Sequence, residues 1–233
     1  MKISSLAGSV LAVLLWQNAS VCIATDTPIQ AHPPAVVFVA PEEGGPRNWA
    51  VSAASKKPVK LFEKQSISSK VLKKYHSGAI LDNLGCQSIK ETVWCDVQQF
   101  GGGPRGYVQA SFLKPAASPN GAVAWGPDNS ATRAGEGRFD ATGIMPCAFS
   151  PGQPMAQCEY GVARAGGGYA TVVVKRPDGR TRTIFFRMGK AIGADTSQAD
   201  GYPPFKVRRK NELNLISIGK ERYEIPDAAP LGG

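Results

Sequence analysis

The sequence predicts an all-β protein: a first block of short β segments followed by a second antiparallel β-meander domain. Short runs of β-branched and aromatic residues alternate with turn signals such as Pro177-Asp178-Gly179, a pattern of strands joined by tight turns. The 26 Gly and 18 Pro among 233 residues favour many turns and short strands over long helices. With 42% apolar and 19% charged residues, the chain can build a packed core and is neither disordered nor collagen-like in composition.

Residues 1–24 read as a signal peptide. Lys2 supplies the positive start, and Leu6 to Trp16 form an apolar stretch of 11 residues. A spanning helix needs about 20 apolar residues, so this stretch is too short to be one. Cleavage fits best after Ala24. Acylation of Cys22 is the competing reading, but Val21 stands where that chemistry wants a small residue. An uncleaved anchor is a third. No later segment is apolar enough for a stable membrane span after cleavage.

Cleavage leaves four cysteines, Cys86, Cys95, Cys147 and Cys158, and lowers the net charge from +9 to about +8 because Lys2 is lost. An even count in an exported protein reads as disulfides, with three connectivities open. Locality favours Cys86 with Cys95 and Cys147 with Cys158. Their spacing, without a nearby histidine, is a poor match to zinc sites, so no metal and no cofactor is expected.

Residues 25–46 form a Pro-rich lead-in in which Val36 to Val39 read either as a docked strand or as part of the leader. Residues 47–114 follow as short β segments. Residues 115–137, rich in Pro, Gly, Ala, Ser and Asn, read as a flexible linker, with Trp125 packing on a neighbour. Residues 138–233 form the second domain. Thr171 to Lys175 and Thr181 to Met188 flank the Pro-Asp-Gly turn; Phe205 to Arg209, Leu213 to Ile218 and Arg222 to Ile225 continue a meander of about five or six strands. Alternation sets Phe205 and Val207 on one face and Lys206, Arg208 and Lys210 on the other, giving a half-buried sheet with a basic open side.

Within residues 47–114 the order of segments is distinctive: Val59 to Phe62, Ser66 to Val71, Gly78 to Leu84, Val93 to Val97 with Val93-Trp94, and Arg105-Gly106-Tyr107-Val108 through Phe112-Leu113. This order resembles the bacterial SH3-like (SH3b) family, and the resemblance implies a small SH3-like barrel. The chain departs from that family's Asn-Val-Arg-Ser-Gly-Pro stretch, carrying Leu61-Phe62-Glu63-Lys64-Gln65-Ser66 instead. Cys86 and Cys95 sit symmetrically about Lys90-Glu91, so a hairpin turning there brings them opposite each other. Such a short-loop bridge contributes about 2 to 3 kcal/mol, a large share for a small barrel. Phe139-Asp140-Ala141-Thr142-Gly143, Met145-Pro146-Cys147 and Tyr223-Glu224-Ile225-Pro226 are similar to segments of exported proteobacterial SH3 domain-containing proteins, which implies architecture only.

Catalytic motifs are scarce. Gly101-Gly102-Gly103-Pro104-Arg105-Gly106 satisfies G-x-G-x-x-G, but a strand rather than a helix follows, so it reads as a hairpin loop. The two histidines are His32, in the lead-in, and His76, in a turn. The loop from Gly193 to Gly201 lacks calcium-ligand spacing and reads as an Asp-rich turn.

The expected function is therefore a non-catalytic binding protein, periplasmic or secreted. The barrel would contact cell-wall glycopeptide (peptidoglycan) or an envelope protein through the aromatics Phe62, Tyr75, Trp94 and Tyr107. For Trp94 and Tyr107 a core role is the competing reading, and the one favoured. A second reading is an inhibitor or scaffold of an envelope enzyme acting through Lys206, Arg208 and Lys210. A third is a hydrolase using carboxylates such as Asp140, Asp195 or Asp200. Export argues against nucleic acid as the partner of the basic surface.

Overall fold

The computed structural model describes residues 37–54, 56–196 and 201–232. The signal peptide, the lead-in up to residue 36, Cys22, His32 and Asp200 lie outside the described residues. The fold is all-β, with two antiparallel sheets.

The first sheet comprises β1 (Asn48–Val51), β2 (Val59–Phe62), β3 (Val71–Tyr75), β4 (Ile80–Ile89), β5 (Thr92–Gln99), β6 (Arg105–Gln109) and β7 (Leu113–Pro115), in the order β3-β2-β6-β5-β4-β1-β7. Alternate residues point inward: Leu81, Cys95, Val97 and Val108 are fully buried and pack with Trp49, Leu61 and Leu113. Phe38 stacks on Trp49 with ring centroids 5.1 Å apart, and the Asn83 amide donates to the Val39 and Pro46 carbonyls. The lead-in therefore reaches this core, and its described residues 37–46 form no strand. The stretch from Ser66 to Lys70, expected as strand, is a turn instead. Ser69 bonds both the N–H and the carbonyl of Lys64, the local side-chain bonding with which serine competes against strand pairing. The glycine-rich run is the loop between β5 and β6.

The second sheet contains β8 (Ala141–Ala148), β9 (Ala156–Arg164), β10 (Ala170–Lys175), β11 (Thr181–Arg187), β12 (Lys190–Ala194), β13 (Phe205–Lys210), β14 (Leu213–Ile218) and β15 (Glu221–Pro226). Its order is β12-β11-β10-β9-β8-β15-β14-β13. Two meanders, of five strands and of three, are thus joined where β15 pairs with β8. The outermost strands β12 and β13 lie against each other, so the sheet rolls into a nearly closed barrel. Its interior holds Val162, Val172, Val174, Ile184, Phe186, Ile216 and Ile225. One end is charged. The Arg182 guanidinium donates to both carboxylate oxygens of Glu221, at 2.9 and 3.1 Å, and the Tyr223 hydroxyl donates to Glu221 at 2.8 Å. Arg176 completes the cluster, 3.2 Å from Glu221.

Both local cysteine pairs are disulfides. Cys86 and Cys95 are register partners across the β4–β5 hairpin, and Cys147 bridges β8 to Cys158 on β9. Each ties neighbouring strands of its own sheet.

The segment expected to be a flexible linker is built into the fold. Pro46 pairs with Trp125 and Ala117 with Val123, while α1 (Ser130–Gly135) packs on β9 and β10. Arg47 donates to the carbonyls of Gly126 and Pro127, each at 2.7 Å. These bonds satisfy backbone groups that a free linker would leave to water. The Trp125 side chain does not pack as expected: it is 46% exposed, and its backbone makes the contact.

The two sheets meet in one compact unit. Tyr169 lies between two guanidiniums, those of Arg47 and Arg187, 4.6 and 5.6 Å from its ring centroid, and its hydroxyl donates to Asn48 at 2.5 Å. Asp82 accepts from Asn48 and, at 2.5 Å, from Arg187. Burial pushes the Asp82 carboxyl above its ordinary range by more than Arg187 and Asn48 lower it. Asp140, by contrast, is held below that range by the Arg133 guanidinium and the Arg164 N–H.

These opposite shifts predict opposite linkage. The native state binds the Asp82 proton more tightly than the unfolded chain, so this residue's contribution to stability falls as pH rises from the ordinary carboxylate value through the raised one. Asp140 stabilises above the ordinary value, and its contribution is lost as pH falls through the lowered one. A carboxyl-carbon NMR titration should find Asp82 titrating above Asp140; the reverse order would refute the assignment.

Candidate functional site

The loop between β1 and β2 leaves the first sheet, passes through Ala53, Ala54, Lys57 and Pro58 and returns into β2, after which the chain turns at Ile67 towards β3. With Phe112 on the 3-10 turn after β6, these segments enclose a cleft of about 350 Å³. Its wall is apolar: Val59 and Phe62 line it from β2, and Ile67 and Phe112 are 72% and 37% exposed. Lys57 and Lys60 supply the cations along it. Lys60 stands directly opposite Lys74 across the β2–β3 pair, and among the described residues neither has an acidic partner. Like charges placed opposite each other are unfavourable in a bare sheet and favourable beside an anion.

The aromatics named from the sequence fall differently. Phe62, Tyr75 and Trp94 are buried, so Phe62 and Tyr75 do not stand as exposed ligand walls, and for Trp94 burial agrees with the reading favoured from the sequence. Tyr75 packs in the core of the first sheet, whereas Trp94 lies on the face of β5 opposite Cys95 and Val97. Phe62 still contributes an edge to the cleft and meets Trp94 edge-to-face at 5.8 Å. Tyr107 is half-buried and pairs with Phe62. Trp94 and Tyr107 line a separate polar cleft of about 330 Å³, with Asp96 held by Arg105 at 2.7 Å and Gln65 bonded to Gln87. Tyr75 belongs to neither cleft. Ile67 and Phe112 were not singled out in the sequence; an isoleucine set among serines in a turn was the available signal.

On the second sheet, Lys206, Arg208 and Lys210 are all exposed on one face of β13, as alternation predicts. The opposite face is less covered than expected, because β13 ends the sheet: Val207 is 40% exposed. Arg209 on that face pairs with Asp227.

Asp140 is bound by Arg133 and by the Arg164 N–H at 2.6 Å, and Asp195 accepts from the Thr183 N–H and lies beside Arg182. Neither lines the clefts of about 350, 480, 330 and 280 Å³. His76 is exposed in the turn before β4. Among the described residues, no group of three His, Cys, Asp or Glu is arranged to hold a metal ion, and no helix is long and apolar enough to cross a membrane.

The fold and clefts define a two-sheet, disulfide-bonded all-β protein with a lysine-edged apolar cleft. Comparison of the chain with protein-family models, with curated proteins and with solved structures finds no match.

Proposed function

We propose that this is an exported, non-catalytic binding protein of the bacterial cell envelope. Its first sheet, resembling an SH3-like domain, contacts cell-wall glycopeptide or a protein partner. The observation that carries the reading is the cleft of about 350 Å³ with exposed Ile67 and Phe112 beside Lys57 and Lys60. An extended ligand can lay apolar groups against the first pair and its carboxylates against the second, and wall peptides are rich in carboxylates. Two disulfides suit an oxidising compartment.

The test is sedimentation of the mature protein with purified peptidoglycan sacculi at low salt. Most of the protein should pellet, and the double variant Ile67→Asp, Phe112→Asp should shift it to the supernatant, with an apparent affinity lower by about tenfold. Parent protein left wholly in the supernatant would eliminate wall binding. The exposed cations of β13 favour a second reading, the inhibitor or scaffold. If reversing Lys206, Arg208 and Lys210 to Glu abolishes binding to an envelope partner while the cleft variant does not, that reading replaces the first.

A further inference from the structure

The outer face of the second sheet carries a cavity that the proposed function does not use. β9, β10 and β11 form its floor, and α1 with the chain following it forms a wall, enclosing about 480 Å³. That volume is within the range of small-molecule sites. Phe139 and Phe185 face the space, with Val173 on the floor and Ala134 on the helix side. Gly161 keeps the floor low: a Cβ there would stand 2.4 Å from the Phe139 ring, so that ring lies directly on the backbone. The helix side is kept open by Gly135, where an added Cβ would meet nothing within 4 Å.

The polar groups of the lining are gathered on neighbouring strand ends. Thr181 on β11 and Lys175 on β10 are register partners, and Thr183 follows two residues on. No carboxylate lines the cavity. Glu159, outside it, holds the Lys175 ammonium at 2.8 Å, with side chains 68% and 72% exposed. Such an exposed pair is weakly held, so Lys175 can exchange one carboxylate for another.

We propose that this cavity binds a small apolar anion, with an aliphatic or aryl body and a single carboxylate. The body packs against Phe139, Val173 and Phe185, where apolar surface leaves water. The carboxylate accepts hydrogen bonds from the Thr181 and Thr183 hydroxyls and from Lys175, a charge-assisted arrangement. The site is distinct from the cleft of the first sheet, and the two readings stand or fall separately.

Calorimetric titration of the disulfide-bonded protein with decanoate and with 2-naphthoate tests this, with decanol and 2-naphthol as neutral counterparts. Saturable binding of at least one carboxylate is expected, and the preferred one tells an aliphatic from an aryl body. Gly135→Phe places its ring where an added Cβ meets nothing within 4 Å, and should weaken binding by about tenfold at an unchanged melting temperature. Should that variant melt early, Ala131→Trp, at an exposed helix position lining the same cavity, provides the block. Lys175→Met should weaken the carboxylate about threefold and leave the neutral counterpart unaffected. Absence of saturable binding by either carboxylate, or parent-like binding with the cavity blocked in a folded variant, overturns the site. Equal loss for charged and neutral compounds in Lys175→Met overturns the anionic specificity.

Discussion

Glu221→Gln is expected to lower the stability of the protein by about 3 to 5 kcal/mol, the cost typical of removing one partner from a buried ion pair. Arg182 is 3% exposed and Glu221 8%, inside the end of the barrel. The carboxylate receives two bonds from Arg182, one from Tyr223 and the contact of Arg176. Glutamine keeps the shape but replaces one acceptor oxygen with a donor and leaves two guanidiniums facing a neutral group. Burial, the larger cause of the raised Tyr223 hydroxyl, persists in the variant, so ionised Tyr223 does not compensate near neutral pH. Urea unfolding followed by tryptophan fluorescence and far-ultraviolet dichroism measures the loss. Glu136→Gln, which breaks an exposed pair with Arg138, serves as the control and should leave the midpoint in place. A Glu221→Gln midpoint equal to that of the parent would show the cluster to be energetically neutral.

Tyr169→Ala is the second large effect, with an expected cost of about 3 to 5 kcal/mol for a buried aromatic truncated to alanine. The ring is 3% exposed and packs with Ala50, Ala116, Ala124 and Met188, residues drawn from both sheets and the segment between them. Its removal also takes away the ring that both Arg47 and Arg187 contact and leaves Asn48 without its hydroxyl donor. Each sheet retains its own core and its own disulfide, so this loss should fall on the coupling between them. Scanning calorimetry should therefore resolve two transitions in Tyr169→Ala where the parent shows one. Tyr169→Phe keeps the ring and should lose only about 1 to 2 kcal/mol with its hydrogen bond. A single transition in Tyr169→Ala would mean that the remaining contacts suffice to couple the sheets.

Local chemistry was the legible part of the sequence. The Pro177-Asp178-Gly179 turn needs no distant partner: Gly179 takes a positive φ of 79°, and Asp178 caps the Arg180 N–H. Asn211 likewise adopts a φ of 54° between β13 and β14. The disulfides were legible because each joins cysteines on paired strands close in sequence. Strands β8, β9 and β12 carried weaker signals: Gly143 and Pro146 interrupt β8, Gly161 sits within β9, and β12 reads Lys-Ala-Ile-Gly-Ala. Neighbouring strands and the Cys147–Cys158 bridge hold them in place, and that information is not local. Residues 115–137 were misread for the same reason. Their composition is that of a linker, but the bonds that order them come from Pro46 and Arg47, about 80 positions away. Of the candidate site, Phe62 was legible. Ile67, Phe112, Lys57 and Lys60 converge only after the β1–β2 loop folds back over the sheet.

The clamp of Arg47 on the chain between the sheets also governs how the protein would meet a long ligand. A slack connection would let the cleft of the first sheet and the cations of β13 search independently, giving an effective concentration set by tether length. With that connection bonded into the fold, the span between the two surfaces is a fixed property of the molecule. If both surfaces bind one polymer, a chain whose repeating charges match that span would gain from engaging both at once, and one out of step would gain nothing. The protein would then select by spacing, as a ruler does, in addition to selecting by chemistry.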